Sequence, residues 1–261
     1  LPDGVIQKAY DCFASPYRVV FVADATRDGY AALNTRHNFT VVRNGLDRMR
    51  IEQASREWSP AQARKSIGAC EGEVVILLLG TVCPRKGQQD LVKALSQLSP
   101  DLQARVRCYI VGDRPSEYSA ELHALAAQLP PELRSRVHLI PETRDTTRYY
   151  RAADLFVCTS KLESYPRVVL EAMAYGLPIV TTPVFGIREQ VREGVNALFY
   201  DAGDSGALAD RLRCVLQDEA LRARLASTSA SVLALGTDFD EMAGSYADIF
   251  AEAWLSGGPL S

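Results

Sequence analysis

Two glutamates eight positions apart, Glu163 and Glu171 in LESYPRVVLEAMAYGLPIV, are the side chains of this sequence best placed to do chemistry. The first lies in a loop. The second interrupts a helix whose other residues, Val168, Val169, Leu170, Ala172, Met173 and Ala174, are apolar around nearly the whole circumference, so the helix is expected to be buried. A carboxylate in that setting needs a partner. Arg167, four residues earlier, could supply it as an ion pair on one helix face. Alternatively, Glu171 accepts hydrogen bonds from a pair of ligand hydroxyls while the start of the same helix holds that ligand's phosphate. Pro166 fits the first helical position, and Tyr165, as the residue before a proline, is biased out of the helical region. The N–H groups of Arg167, Val168 and Val169 are then unpaired at a positive helix end, which makes an anion site. The ion-pair reading accounts for neither Glu163 nor this bare helix start.

A second group of candidates lies in Gly80-Thr-Val-Cys-Pro-Arg-Lys-Gly87. Its glycines permit tight turning, and Arg85 and Lys86 stand at the mouth of the following helix, where cations can neutralise a diphosphate alongside the helix N–H groups. The loop is not a Walker A motif, because no Ser or Thr follows the Lys and the glycine spacing differs. It also lacks the three-glycine dinucleotide fingerprint. A basic pair in a loop is by itself ordinary solvated surface. Beside two glutamates from another loop of the same sheet edge, it becomes informative.

The elements that must position these residues alternate regularly after Glu73. Strands are expected at Val74–Leu79, Val106–Val111, Val137–Ile140, Asp154–Cys158 and Pro178–Thr182, with a sixth at Ala197–Tyr200. Helices are expected between them, over about Gln88–Leu98, Glu117–Leu129 and Thr146–Ala153, and over the motif helix closed by Gly176. Strands apolar throughout and separated by helices argue for an α/β, Rossmann-like parallel sheet with helices on both faces. Ligands of such sheets bind beyond the carboxyl ends of the strands, so the loops after Leu79, Val111, Ile140 and Cys158 are the ones to search. Three helices close the chain, at about Ser205–Gln217, Glu219–Leu235 and Phe239–Trp254. Ahead of the regular part come a helix over residues 5–14, a strand Arg18–Ala23, a helix capped by Asp24 and reaching Leu33, and a strand Phe39–Arg43. Asn44-Gly45 then turns the chain, and Asn44 to about Glu57 reads as a crossing between domains, followed by a helix capped by Ser59 with Pro60 at its first position.

The 261 residues are 47% hydrophobic and 23% charged, an ordinary composition for a packed globular chain. A net charge of −3 gives no support for nucleic-acid binding. The longest apolar run, Val74–Leu79, is far too short to span a bilayer, so no transmembrane segment is expected. Six cysteines (12, 70, 83, 108, 158 and 214) without close pairs, and three isolated histidines, suit a reduced compartment and leave a metal site unexpected. The chain begins at Leu1 rather than Met, so its natural N-terminus is expected to lie further upstream.

Gly80…Lys86-Gly87, Glu163 with Glu171, and Gly186-Ile-Arg-Glu189…Gly194 together resemble the C-terminal, donor-binding domain of family 4 (group 1) retaining glycosyltransferases. These enzymes have the GT-B fold, two facing Rossmann-like domains with the active site between them. The likeness runs from about Arg18 to the C-terminus. It implies that residues 1–45 are the tail end of the N-terminal domain and 46–58 the interdomain connection. Residues 59–236 would be the nucleotide-sugar-binding domain and 237–261 a helix crossing back. On matching positions it implies that Glu171 binds the ribose hydroxyls of a nucleotide-sugar donor. Lys86 would meet the diphosphate, with Arg85, Thr81 and the N–H groups near Arg167 and Val168. Glu163 would be the catalytic residue at the donor sugar, and Ile140, Pro141 and Glu142 would lie near the base.

The resemblance further implies a metal-independent enzyme with no cofactor. Its acceptor would be a sugar, a glycan or a lipid-linked glycan, bound by an N-terminal domain of about 150 residues that this chain nearly lacks. The fragment alone would then bind donor without transferring sugar. The implied location is cytoplasmic, with a peripheral position on the inner face of the membrane as a variant. Three departures stand out: Thr81 where the family often has Arg, Pro166 where it often has Gly, and the reduced N-terminal part. A non-catalytic nucleotide-sugar-binding module, or another GT-B-like enzyme such as a sugar-nucleotide epimerase or a phosphorylase, would use the same features.

Overall fold

The computed structural model describes residues 12–13 and 17–255, so of the helix expected over residues 5–14 only Cys12 and Phe13, both helical, are described and the rest lies outside the described residues. In chain order the elements are β1 (Val19–Phe21), α1 (Asp24–Gly29), β2 (Phe39–Val41), α2 (Arg48–Arg56), α3 (Pro60–Ile67), β3 (Val74–Leu79), α4 (Gln88–Ser96) and α5 (Pro100–Arg105). There follow β4 (Val106–Asp113), α6 (Glu117–Ala127), α7 (Pro131–Arg134), β5 (Val137–Pro141), α8 (Thr147–Ala152), β6 (Leu155–Cys158), α9 (Arg167–Ala174) and β7 (Ile179–Thr181). The last are α10 (Ile187–Gln190), β8 (Ala197–Phe199), α11 (Ser205–Gln217), α12 (Glu219–Leu233) and α13 (Phe239–Leu255).

Among the described residues, six strands form one parallel sheet in the order β5-β4-β3-β6-β7-β8, while β1 and β2 pair in parallel in a sheet of their own. Side chains alternate across the large sheet. Ile76, Leu78, Cys108, Ile110, Leu155 and Val157 pack on one face under α4, α6 and α11. Val75, Leu77, Tyr109, Phe156, Cys158 and Ile179 pack on the other, under α8 and α9. Each large apolar side chain so buried contributes about 1.5–3 kcal/mol, and the continuous apolar strand sequences follow from burial on both faces. The strand order reverses between β3 and β6, and the crevice there opens at the strands' carboxyl ends.

Several local expectations change. The charged stretch before Ser59 contains α2, capped by Asp47, whose side chain accepts from the Arg50 N–H at 2.9 Å. None of its residues is buried, so its sequence carries no apolar stripe to announce it. Ser59 and Gln62 form the full capping box that starts α3, with Pro60 at its first position. Asp24 is the first residue of α1 rather than its cap; the cap position is Ala23, whose side chain has no acceptor. The N–H groups of Asp24 and Ala25 are satisfied instead by the distant carboxylate of Glu189, at 3.2 and 2.8 Å. At the opposite end of the sheet, Glu73 precedes β3 between Arg107 (2.6 Å) and Arg136. Burial there works against its charge, but hydrogen bonds from Arg107 and the Cys70 N–H hold its carboxyl down at about 2.

Candidate active site

The loop after β3 and the loop after β6 meet over the crevice and are stitched together by backbone. The Lys161 N–H donates to the Arg85 carbonyl at 2.8 Å, and Thr159 Oγ1 donates to the Lys86 carbonyl at 2.7 Å. Gly87 is required by this approach, since a Cβ there would lie 2.5 Å from the Thr159 carbonyl oxygen, and its φ is +65°. Gln88, fully buried, fixes the loop from inside by donating to the Thr81 carbonyl at 3.0 Å. Thr81 itself stands exposed on the rim.

This stitching brings Glu163, Lys86 and Arg85 together. Lys86 Nζ lies 2.5 Å and Arg85 Nη1 2.8 Å from the same oxygen, Glu163 Oε1. Ser160 Oγ donates to that oxygen at 3.1 Å. Glu163 is 8% exposed and the Lys86 side chain 13%, whereas the Arg85 side chain is 46% exposed, so lysine and glutamate form the sheltered pair. Two cations converging on one carboxylate make a charge-assisted cluster that an incoming diphosphate could enter by exchanging for Glu163.

Helix α9 begins beside this cluster. Pro166 occupies the cap position rather than the first helical position, with φ −69° and ψ 125°, and no side chain caps the helix. The Val169 N–H is taken by the Pro166 carbonyl at 3.2 Å, which leaves the N–H groups of Arg167 and Val168, two rather than three, at the helix start. The loop leading into α9 is held from outside. Asn44 Nδ2 donates to the Tyr165 carbonyl at 2.8 Å, and Gln190 Nε2 donates to the Pro166 carbonyl at 3.0 Å. Gly186 passes so close that a Cβ on it would lie 1.6 Å from the Ser164 carbonyl oxygen. Arg43 pairs with Glu189 at 3.0 Å and also with Asp24, tying α1 and β2 to α10 at the same place.

Glu171 is not held by Arg167. Its carboxylate accepts from the Tyr150 hydroxyl at 2.8 Å, so the helix-face ion pair expected as one alternative is replaced by a partner 21 residues away. Burial raises the Glu171 carboxyl above the usual range, against lowering contributions from the Tyr150 hydrogen bond and the Arg167 charge. Glu171 and Arg167 face a cavity of about 380 Å³, whose other walls include Arg50, Arg144, Thr147 and Tyr150. Ile140, Pro141 and Glu142 do not line it. Ile140 is half-buried, Pro141 is exposed, and Glu142 pairs with Arg114 at 2.7 Å. Sequence reasoning missed Gln88, Ser160 and Tyr150. The first two carry a weak signal as polar residues at the ends of apolar strands and turns, whereas Tyr150 sits in an aromatic pair that reads as core. Among the described residues no group of three or more His, Cys, Asp or Glu side chains could hold a metal ion. No helix among them is long and apolar enough to cross a membrane.

The α/β fold, a parallel six-stranded sheet flanked by helices, matches that of GT-B glycosyltransferase structures. Residues 61–231 match the family of glycosyl transferases group 1, and the chain belongs to that family. It is 36% identical over 192 residues to the D-inositol 3-phosphate glycosyltransferase of Xylanimonas cellulosilytica, covering 73% of this chain and 45% of that protein. It is 34% identical over 247 residues to the protein of the same name from Salinispora arenicola, covering 90% and 53%. The chain thus spans about half the length of the relatives it matches. Among solved structures, Anabaena HepE in complex with UDP and glucose superposes with a TM-score of 0.82 at 24% identity, over 96% of this chain and 67% of that one. HepE in complex with UDP-glucose gives 0.77 at 25%, over 90% and 64%.

Proposed function

We propose that this chain is the donor-binding half of a retaining glycosyltransferase that moves a sugar from a nucleoside diphosphate to an acceptor. The observation that carries the reading is the Lys86–Glu163–Arg85 cluster beside the uncapped start of α9, with Glu171 four residues further along the same helix. In this reading the diphosphate takes over Lys86 and Arg85 and caps the N–H groups of Arg167 and Val168. Glu171 accepts from the ribose hydroxyls. Glu163, released from the cations, turns to the donor sugar. The acceptor hydroxyl attacks the anomeric carbon from the face the diphosphate leaves. The bond from that carbon to the diphosphate breaks as the new glycosidic bond forms, and the proton passes to the departing phosphate oxygen. Lys86, Arg85 and the helix end stabilise the charge on that phosphate in a preorganised site, without a metal.

Residues 1–45 are assigned to the tail of an N-terminal domain that delivers a sugar, glycan or lipid-linked acceptor, and 46–58 to the connection. Residues 59–236 are assigned to the donor domain and 237–261 to the segment that returns toward the N-terminal part, its described helix being α13. UDP-glucose, the ligand of HepE, is the first donor to test. Calorimetry with UDP-, GDP- and ADP-sugars, followed by a donor-hydrolysis assay on the complete enzyme, tests the assignment. One nucleotide series is expected to bind, with loss of binding in Lys86→Ala. Failure of all three series to bind, or binding with neither transfer nor hydrolysis by the complete enzyme, overturns it.

A further inference from the structure

Tyr150 is buried beside Glu171 at the wall of the cavity. It is 2% exposed, and its ring is stacked on Tyr175 at 4.9 Å and 5° and on Phe156 at 6.0 Å. Its hydroxyl lies 2.8 Å from Glu171 Oε2 and 3.3 Å from the Val168 carbonyl, so the single proton goes to the carboxylate. A tyrosine buried against two stacked rings keeps its hydroxyl aimed at the carboxylate it donates to. A carboxylate offers about four acceptor positions. The tyrosine occupies one, and the rest remain for hydroxyls entering the cavity.

We infer that Tyr150 is the positioning residue for Glu171, holding the carboxylate in place to receive a vicinal pair of ribose hydroxyls. The inference rests on the reading of Glu171 as the ribose ligand. Without the hydroxyl, Glu171 keeps its buried setting but loses a donor that favours its charged form. The other charged and titratable groups about the cavity are Arg167 on the same helix, Tyr175 just past its end, Arg144 in the loop before α8, and Asp47 and Arg50 at the start of α2. Tyr150→Phe leaves all of them in place.

Two measurements on this chain separate the tyrosine's role from the ribose assignment. The first is UDP affinity by calorimetry between pH 5 and 8, for the wild type, Tyr150→Phe and Glu171→Gln. Tyr150→Phe is expected to weaken UDP about tenfold at the acid end and less at pH 8, with its acid limb moved to higher pH. Glu171→Gln is expected to bind weakly at every pH. The second is titration of the Glu171 carboxyl by carbon NMR in nucleotide-free protein, where Tyr150→Phe is expected to move the midpoint upward. An unmoved midpoint, or a UDP loss in Tyr150→Phe that is the same at all pH values, overturns the tyrosine's role. Unimpaired UDP binding by Glu171→Gln overturns the ribose assignment, while the NMR titration still reads the tyrosine's hold on the carboxylate.

Discussion

Replacing Glu163 by glutamine should tighten nucleotide binding while lowering activity. Lys86 and Arg85 are both paired with Glu163, at 2.5 and 2.8 Å. A diphosphate must displace this carboxylate and then lie close to its charge. Two unit charges 4 Å apart interact by about 4 kcal/mol at an effective dielectric of 20. Arg85 is nearly half exposed, so solvent screens most of its share, whereas Lys86 is sheltered and keeps more of its own. Removing the competing charge should therefore strengthen UDP binding by about 1–2 kcal/mol, or roughly five- to thirtyfold in Kd. The same change leaves Lys86 without its carboxylate in the free protein, at a cost of about 1–3 kcal/mol. For a chain of this size that lowers the melting temperature by about 2–4 °C per kcal/mol. Calorimetry with UDP, paired with melting curves with and without it, reads both effects. The expected pattern is a lower melting point alone, a larger rise on adding UDP, and reduced sugar transfer by the complete enzyme. If UDP affinity falls instead, as far as it does in Lys86→Ala, Glu163 binds the nucleotide directly and the exchange argument is refuted.

Lys86→Ala should weaken UDP binding about 10- to 100-fold through loss of a charged hydrogen bond, measured by the same titration. The folded-state pKa of Glu73, about 2, lies below its ordinary value, so its stabilisation is present above about pH 4.5 and is lost as pH falls toward 2. Glu73→Gln should remove most of that acid-dependent loss, up to about 3 kcal/mol, seen as a flatter dependence of urea midpoint on pH over that window. Gly186→Ala should destabilise by about 2–4 kcal/mol, because its Cβ would overlap the Ser164 carbonyl and Ala23, and UDP should recover part of the loss. A melting point equal to wild type would count against the tight packing of that loop.

The large sheet was legible because strands such as VVILLL and LFVC are apolar throughout, which only a sheet covered on both faces permits. Helix α2 was not, since RMRIEQASR buries none of its residues fully and its one strong cue is the capping Asp47. Within the site, the loop cations and both glutamates could be picked out by type and position. Their partners could not. Tyr150 reaches Glu171 across 21 residues, and Arg43 reaches Glu189 across 146, distances that spacing rules for single helices and strands do not cover. The start of α9 was displaced by one residue for a local reason: Pro166 keeps an extended ψ of 125°, so its carbonyl turns back to accept from Val169.

The ties among Asn44, Arg43, Gly186 and Glu189 matter for anyone recombining parts of such enzymes. The loop that aims α9 is held by a side chain that precedes the large sheet by 30 residues of chain, counting from Asn44 to Val74. A hybrid joined in the charged stretch after Asn44 would take that side chain from one parent and the Tyr165 carbonyl from the other. A splice placed before β1 keeps both ends of every tie in one parent. Of the two junctions, only the second should pass the geometry of the loop before α9 intact into the hybrid.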